Sequence, residues 1–100
     1  MRILVTPTFL RAVKKLHTQQ KAALDEAVRT ISSQPEVGDT KVGDLAGVQV
    51  YKFRMGSSLC LLAYRVLDVN TIKLLMLGPH ENFYRDLKRA EQQTVSECAY

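Results

Sequence analysis

The feature that most constrains this chain is a change of hydrophobic period near its middle. Before residue 35 the apolar residues recur at helical spacing, and from Val48 onward they alternate. In the alternating half, only Gly56-Ser57-Ser58 and Asp68-Val69-Asn70 separate three runs, Val48–Met55, Leu59–Leu67 and Thr71–Leu77. Links so short cannot return the chain to start a parallel neighbour, so the three runs are predicted to pair as an antiparallel meander.

The helical half is punctuated just as sharply. Ile3-Leu4-Val5 reads as a short first strand. Thr6-Pro7 then supplies a hydroxyl N-cap and a proline at the first helical position, where its missing N–H costs nothing. Phe9, Val13 and Leu16 form one apolar stripe. His17-Thr18 interrupts it, with Thr18 able to cap a second helix, and Leu24, Ala27, Val28 and Ile31 form another stripe that stops at Ser32-Ser33-Gln34-Pro35. A link this short predicts an antiparallel helical hairpin. Residues 35–46 are a loop, and Glu81 to about Gln93 is a last helix with Phe83, Leu87 and Ala90 on its apolar side.

The order β-α-α-β-β-β-α predicts a small single α+β domain over residues 1–93. Its N-terminal strand and antiparallel helical hairpin pack on an antiparallel sheet, and a C-terminal helix follows. Residues 94–100 read as a flexible tail. The hairpin should cover one sheet face and leave the other partly open.

Composition narrows the function classes. With 46% hydrophobic and 24% charged residues the chain is ordinary for a folded domain. Fourteen Lys and Arg against ten Asp and Glu leave a net charge of +4, which favours an acidic partner such as nucleic acid or an acidic protein. The apolar start is too short for a signal peptide and no run spans a membrane, so a cytoplasmic protein without membrane contact is expected. Cys60 reads as a small buried hydrophobe and Cys98 as a loose thiol. The sequence has no metal-ligand spacing, phosphate loop, carboxylate dyad or Ser/His/Asp set, so neither metal nor cofactor is expected.

Alternation along Val48–Met55 sends Tyr51, Phe53 and Met55 to one face and Val50, Lys52 and Arg54 to the other. The first set suits the core against the helices. The second places two cations side by side, where they could hold a phosphate backbone or belong to a solvated face. Arg65 is a further candidate, or an exposed structural residue. At Gly78-Pro79-His80-Glu81-Asn82-Phe83-Tyr84 the third run meets the last helix, and a helix beginning near His80 would align His80, Tyr84 and Lys88. Histidine suits proton transfer near neutral pH and tyrosine can orient a substrate, although capping and packing would also account for the pair. His17 is assigned to the surface.

The stretch Leu45-Ala46-Gly47-Val48-Gln49-Val50-Tyr51-Lys52-Phe53-Arg54, with Tyr64-Arg65-Val66 and the Gly78–Tyr84 corner, resembles the core of the RelE/ParE toxins of bacterial type II toxin–antitoxin systems. The likeness runs over nearly the whole chain. It implies a toxin held by a cognate antitoxin. In the RelE type it also implies a ribosome-dependent messenger RNA endoribonuclease that inhibits translation, with ribosome and messenger as further partners. By position, Lys52 and Arg54 match the basic pair of the first meander strand, His80 the strand-end position that holds Arg or His, and Tyr84 the tyrosine that stacks on or orients the base. This makes His80, Tyr84, Lys52 and Arg54 the catalytic candidates, with Arg65 and Lys88 as RNA-binding candidates.

One position departs from the RelE pattern. RelE-type ribonucleases usually carry an arginine three residues before the tyrosine of the second meander strand. With Tyr64 in the tyrosine's place, that position is Leu61, and Arg65 lies four residues on, roughly 13 Å at strand rise. The ParE type shares the fold, lacks the ribonuclease set and inhibits DNA gyrase, so it is the alternative, together with a non-toxic member that keeps only antitoxin binding.

Overall fold

The structure, a computed structural model, describes residues 2–41, 43–79, 83–91 and 96–97. In chain order the elements are β1 (Arg2–Val5), α1 (Pro7–Lys14), α2 (Thr18–Ser33), β2 (Asp39–Thr40), β3 (Val48–Met55), β4 (Ser58–Asp68), β5 (Thr71–Gly78), α3 (Phe83–Glu91) and β6 (Ser96–Glu97). Short 3-10 turns, Pro35–Val37 and Gly43–Leu45, flank β2.

Helix α1 starts where its sequence says. The Thr6 hydroxyl accepts from the Phe9 N–H at 3.1 Å and donates to the Leu75 carbonyl at 2.6 Å. One buried side chain therefore both caps the helix and fastens it to β5. Helix α2 begins at Thr18, but His17 holds the cap position, because the Gln20 side chain reaches back to accept from the His17 N–H at 3.1 Å.

Among the described residues the sheet has six strands in the order β2-β3-β4-β5-β1-β6. The meander β3-β4-β5 is antiparallel, as the short links require. The sheet as a whole is mixed, because β1 joins β5 in parallel with Arg2 opposite Thr71 and Val5 opposite Leu74. Short-link reasoning governs only consecutive strands, and nearly the whole chain separates β1 from β5. Ser96–Glu97, in the stretch read as a tail, instead pairs antiparallel with Val5 and Leu4.

Two apolar clusters sandwich the sheet. The larger lies under the helical hairpin, where Phe9, Val13, Leu24 and Ile31 meet Leu62, Tyr64, Ile72 and Leu74. Tyr51 and Phe53 pack at its edge with stacked rings 6.1 Å apart. The smaller lies on the opposite face, where Phe83, Leu87 and Ala90 of α3 cover Val48, Val50, Leu61, Ala63 and Leu75. Among the described residues, helix α3 covers only part of this face. Beyond it Lys52 and Arg54 are exposed and Leu59 remains 45% exposed. Among the described residues no helix is long and apolar enough to cross a membrane.

Candidate nucleic-acid interface

The basic pair of β3 falls as alternation predicts. Lys52 lies opposite Leu61 and Arg54 opposite Leu59, with both cations exposed on the α3 side of the sheet. Arg54 is steadied by donating from Nη1 to the Ser57 carbonyl at 3.2 Å, within its own turn. Leu61 is wholly buried in the cluster under α3, and Gly78 is its partner on β5. The centre of β4 therefore adds no cation to this face.

Arg65 shares the face but not the place. It pairs with Val48, four residues from Lys52 along β3, about 13 Å away at strand rise. Its guanidinium forms an ion pair with Glu91 at the end of α3, where the Nη2–Oε1 contact is short and Nε donates to Oε1 at 3.1 Å. Nη2 also donates to the Ala46 carbonyl at 3.2 Å. Lys73 adds a bond from Nζ to the Glu91 carbonyl at 3.2 Å. The structure thus separates Arg65 from Lys52 and Arg54 and engages it in tying the loop 43–47 and the α3 terminus to β4. Gly47, at φ +89°, lies against the guanidinium, where any Cβ would overlap it. This accounts physically for the glycine of Leu45-Ala46-Gly47.

Tyr84 is half-buried on the first turn of α3, edge-on to Phe83 with centroids 5.5 Å apart. Over its ring, 5.1 Å from the centroid, lies the ammonium of Lys41, a residue sequence reasoning passed over. Lys88 is exposed one turn further along the helix. His80 lies outside the described residues, directly after Pro79. Cys98 is likewise outside them. Among the described residues no three His, Cys, Asp or Glu side chains are placed to hold a metal ion.

The loop carrying Lys41 is held at its other end by Tyr64. Its hydroxyl accepts from the buried Gly38 N–H at 3.0 Å and donates to the Pro35 carbonyl at 2.5 Å. The Gln49 side-chain amide lies 2.9 Å from the same oxygen. A phenol has one proton to give, so the set balances when Gln49 presents its NH₂. Burial raises the Tyr64 pKa from its ordinary 10.0. Burial likewise raises that of the buried Cys60 thiol, which stays protonated near neutral pH.

The architecture is a helical hairpin on one face of a meander, with a basic strand and a tyrosine-bearing helix on the other. A family model described as "ParE-like toxin of type II bacterial toxin-antitoxin system" matches residues 3–88. Among solved structures, a double mutant of E. coli toxin RelE in the free state superposes with a TM-score of 0.70 at 18% identity, covering 90% of this chain and 94% of that one. The intact E. coli RelBE toxin–antitoxin complex gives 0.65 at 20% identity, covering 79% of this chain and 95% of that one. The isolated E. coli RelE toxin gives 0.62 at 20% identity, covering 87% and 95%. No curated protein matches the chain. The chain belongs to the ParE-like toxins of type II toxin–antitoxin systems, within the RelE/ParE family, and it has the RelE fold.

Proposed function

We propose that this toxin acts on translation as an endoribonuclease that cuts messenger RNA on the ribosome, in the bacterial cytoplasm, and that a cognate antitoxin holds it silent. The observation that carries the reading is the pair of exposed cations Lys52 and Arg54, adjacent on one strand and on the face that also holds Tyr84. In the reaction a ribose 2′-OH attacks the neighbouring phosphorus. The new P–O2′ bond replaces the P–O5′ bond, leaving a 2′,3′-cyclic phosphate and a 5′-hydroxyl. One proton leaves the 2′-OH and one reaches the departing oxygen, so neither metal nor cofactor is required. Lys52 and Arg54 would stabilise charge on the phosphoryl oxygens, His80 would move a proton, and Tyr84 would position the base. Lys88 would extend the positive surface. Arg65 serves the site by holding the loop and α3 in place rather than by meeting the phosphate.

A second reading, inhibition of DNA gyrase without catalysis, is favoured by one observation. Leu61 is buried where a ribonuclease of this fold would gain a cation from β4. The discriminating experiment uses the purified chain, freed of antitoxin, on programmed ribosomes, with cleavage read by primer extension. Cuts within the bound codon that weaken by roughly 10²–10⁴-fold in His80→Ala support the ribonuclease. Intact messenger, with early loss of DNA synthesis in expressing cells, replaces it with the gyrase reading. Recovery of a stoichiometric small protein on pull-down from the native operon tests the antitoxin.

A further inference from the structure

We propose that Lys41 is a further RNA-contacting residue: its ammonium covers the Tyr84 ring in the free protein and exchanges for a nucleobase when single-stranded RNA binds, moving to an adjacent phosphate. The inference rests on the ribonuclease reading and adds to it a residue and a binding step.

The placement of Lys41 follows from strand geometry. Its N–H donates to the Val48 carbonyl at 2.9 Å, which continues the β2–β3 ladder one residue beyond Thr40 opposite Gln49. Residues directly opposed across an antiparallel ladder share a face, so Lys41 points to the side on which Val48 lies under α3. There it meets the Tyr84 ring. Lys52 and Arg54 follow on the same face, four and six residues beyond Val48. On either side of Lys41, Tyr64 holds Gly38 and Arg65 holds Ala46.

Relative strengths decide what happens when RNA arrives. A cation–π contact favours its state by about two- to fivefold at an exposed site and by about thirtyfold when desolvated, and the half-buried Lys41 and Tyr84 lie between the two. A base stacked on an aromatic side chain favours its own by about five- to 150-fold. A base stacked in the upper part of that range displaces the ammonium, which then moves to the phosphodiester next to the stacked base. The contact with the ring keeps Lys41 poised beside the place where that phosphate arrives.

The test uses the full chain and a labelled short single-stranded RNA oligonucleotide, with binding read by anisotropy across a salt series. Lys41→Met keeps apolar cover on the ring and removes the charge; Lys41→Arg keeps the charge. One phosphate contact to a single strand contributes about 0.7 to the slope of log K against log salt, equivalent to about eightfold in affinity at 50 mM salt relative to 1 M. Lys41→Met should lose that slope and that factor, and Lys41→Arg should recover both. By NMR, the Lys41 ε-methylene protons should sit upfield under the ring current in the free protein and return downfield as oligonucleotide is added. Equal affinity and slope in Lys41→Met, or an ε-methylene signal that stays upfield at saturation, overturns the exchange. If the wild type nevertheless cuts messenger on ribosomes, the ribonuclease reading stands without it. A wild type that neither binds the oligonucleotide nor cuts messenger overturns both.

Discussion

Replacing Tyr64 by Phe should cost far more stability than the loss of one oxygen suggests. The ring stays, so the core packing under the helical hairpin is kept. What disappears is the acceptor for the Gly38 N–H and the hydroxyl that donates to the Pro35 carbonyl. Gly38 is buried, so its N–H cannot turn to water, and an unsatisfied buried donor costs about 1–3 kcal/mol. Pro35 is half-buried, so its carbonyl can hydrate and loses only the net value of one hydrogen bond, about 0.5–1.5 kcal/mol. The expected total is about 1.5–4.5 kcal/mol against a stability of about 5–15 kcal/mol for a domain of this kind. At about 4–8 °C per kcal/mol for a domain of this size, the midpoint should fall by at least about 6 °C. Urea unfolding followed by far-UV circular dichroism measures it, with an unchanged slope showing that only stability moved. A coupled test uses Gly38→Ala, whose Cβ would stand 2.7 Å from the Tyr64 oxygen and 2.9 Å from Cε1. Its cost should shrink in the Tyr64→Phe background, because the nearest clashing atom is gone. A shift under about 0.5 kcal/mol for Tyr64→Phe would refute the reasoning, since that is the range of an ordinary surface change.

Three further outcomes are expected. Lys52→Ala with Arg54→Ala should abolish growth arrest and reduce messenger cleavage by at least roughly 10²-fold. The folded protein should change by no more than about 0.5 kcal/mol per site in urea, because both side chains are exposed. Arg65→Met should destabilise by about 1–2 kcal/mol, the lower part of the range for an orphaned partner, because Arg65 and Glu91 retain 29% and 20% side-chain exposure; Arg65→Met with Glu91→Leu should recover part of that loss in the same assay. Stability should also fall on the alkaline side. Cys60 and Tyr64 have folded pKa values raised above 9.0 and 10.0, so the unfolded chain releases those protons first, and the stabilisation present below pH 9 is lost as pH climbs through the raised values. Unfolding midpoints measured from pH 8 upward should show the decline, and Tyr64→Phe should flatten its upper part.

What could be read from the sequence was whatever depends on near neighbours. Thr6-Pro7 announces a helix because capping acts over three residues, and the face of Lys52 and Arg54 follows from a period of two. The parallel seat of β1 beside β5 could not be read this way, since Arg2 and Thr71 meet only when the whole sheet assembles. Nor could the fate of Arg65. Its strand position was clear, but its partner Glu91 lies 26 residues on, and the pair forms only once α3 has folded back across the sheet. Lys41 escaped notice for the same reason, because its ring partner belongs to that helix.

The neighbouring pair Tyr64-Arg65 shows how the local and the distant parts join. Alternation sends these two side chains to opposite faces of β4. Tyr64 goes through the hairpin side to hold the loop at Pro35 and Gly38, and Arg65 goes through the α3 side to hold it at Ala46. Two consecutive residues on a central strand thus grip both ends of the segment that presents Lys41, one with a neutral hydroxyl and one with a charge. Tyr64 must keep its proton to hold its carbonyl acceptor, and burial keeps that proton in place well above neutral pH. Arg65 needs a carboxylate to offset its partial burial, and α3 brings one in Glu91. The order of the loop is therefore coupled to the seating of α3, so a partner that lifted the helix would release Arg65 from Glu91 and loosen the loop at its Ala46 end while Tyr64 still held the other. Hydrogen exchange should show this asymmetry in Arg65→Met: the Ala46 amide should exchange faster than in the wild type while the Gly38 amide keeps its protection. Equal loss at both would mean that the loop opens as one unit and that the two anchors do not act separately.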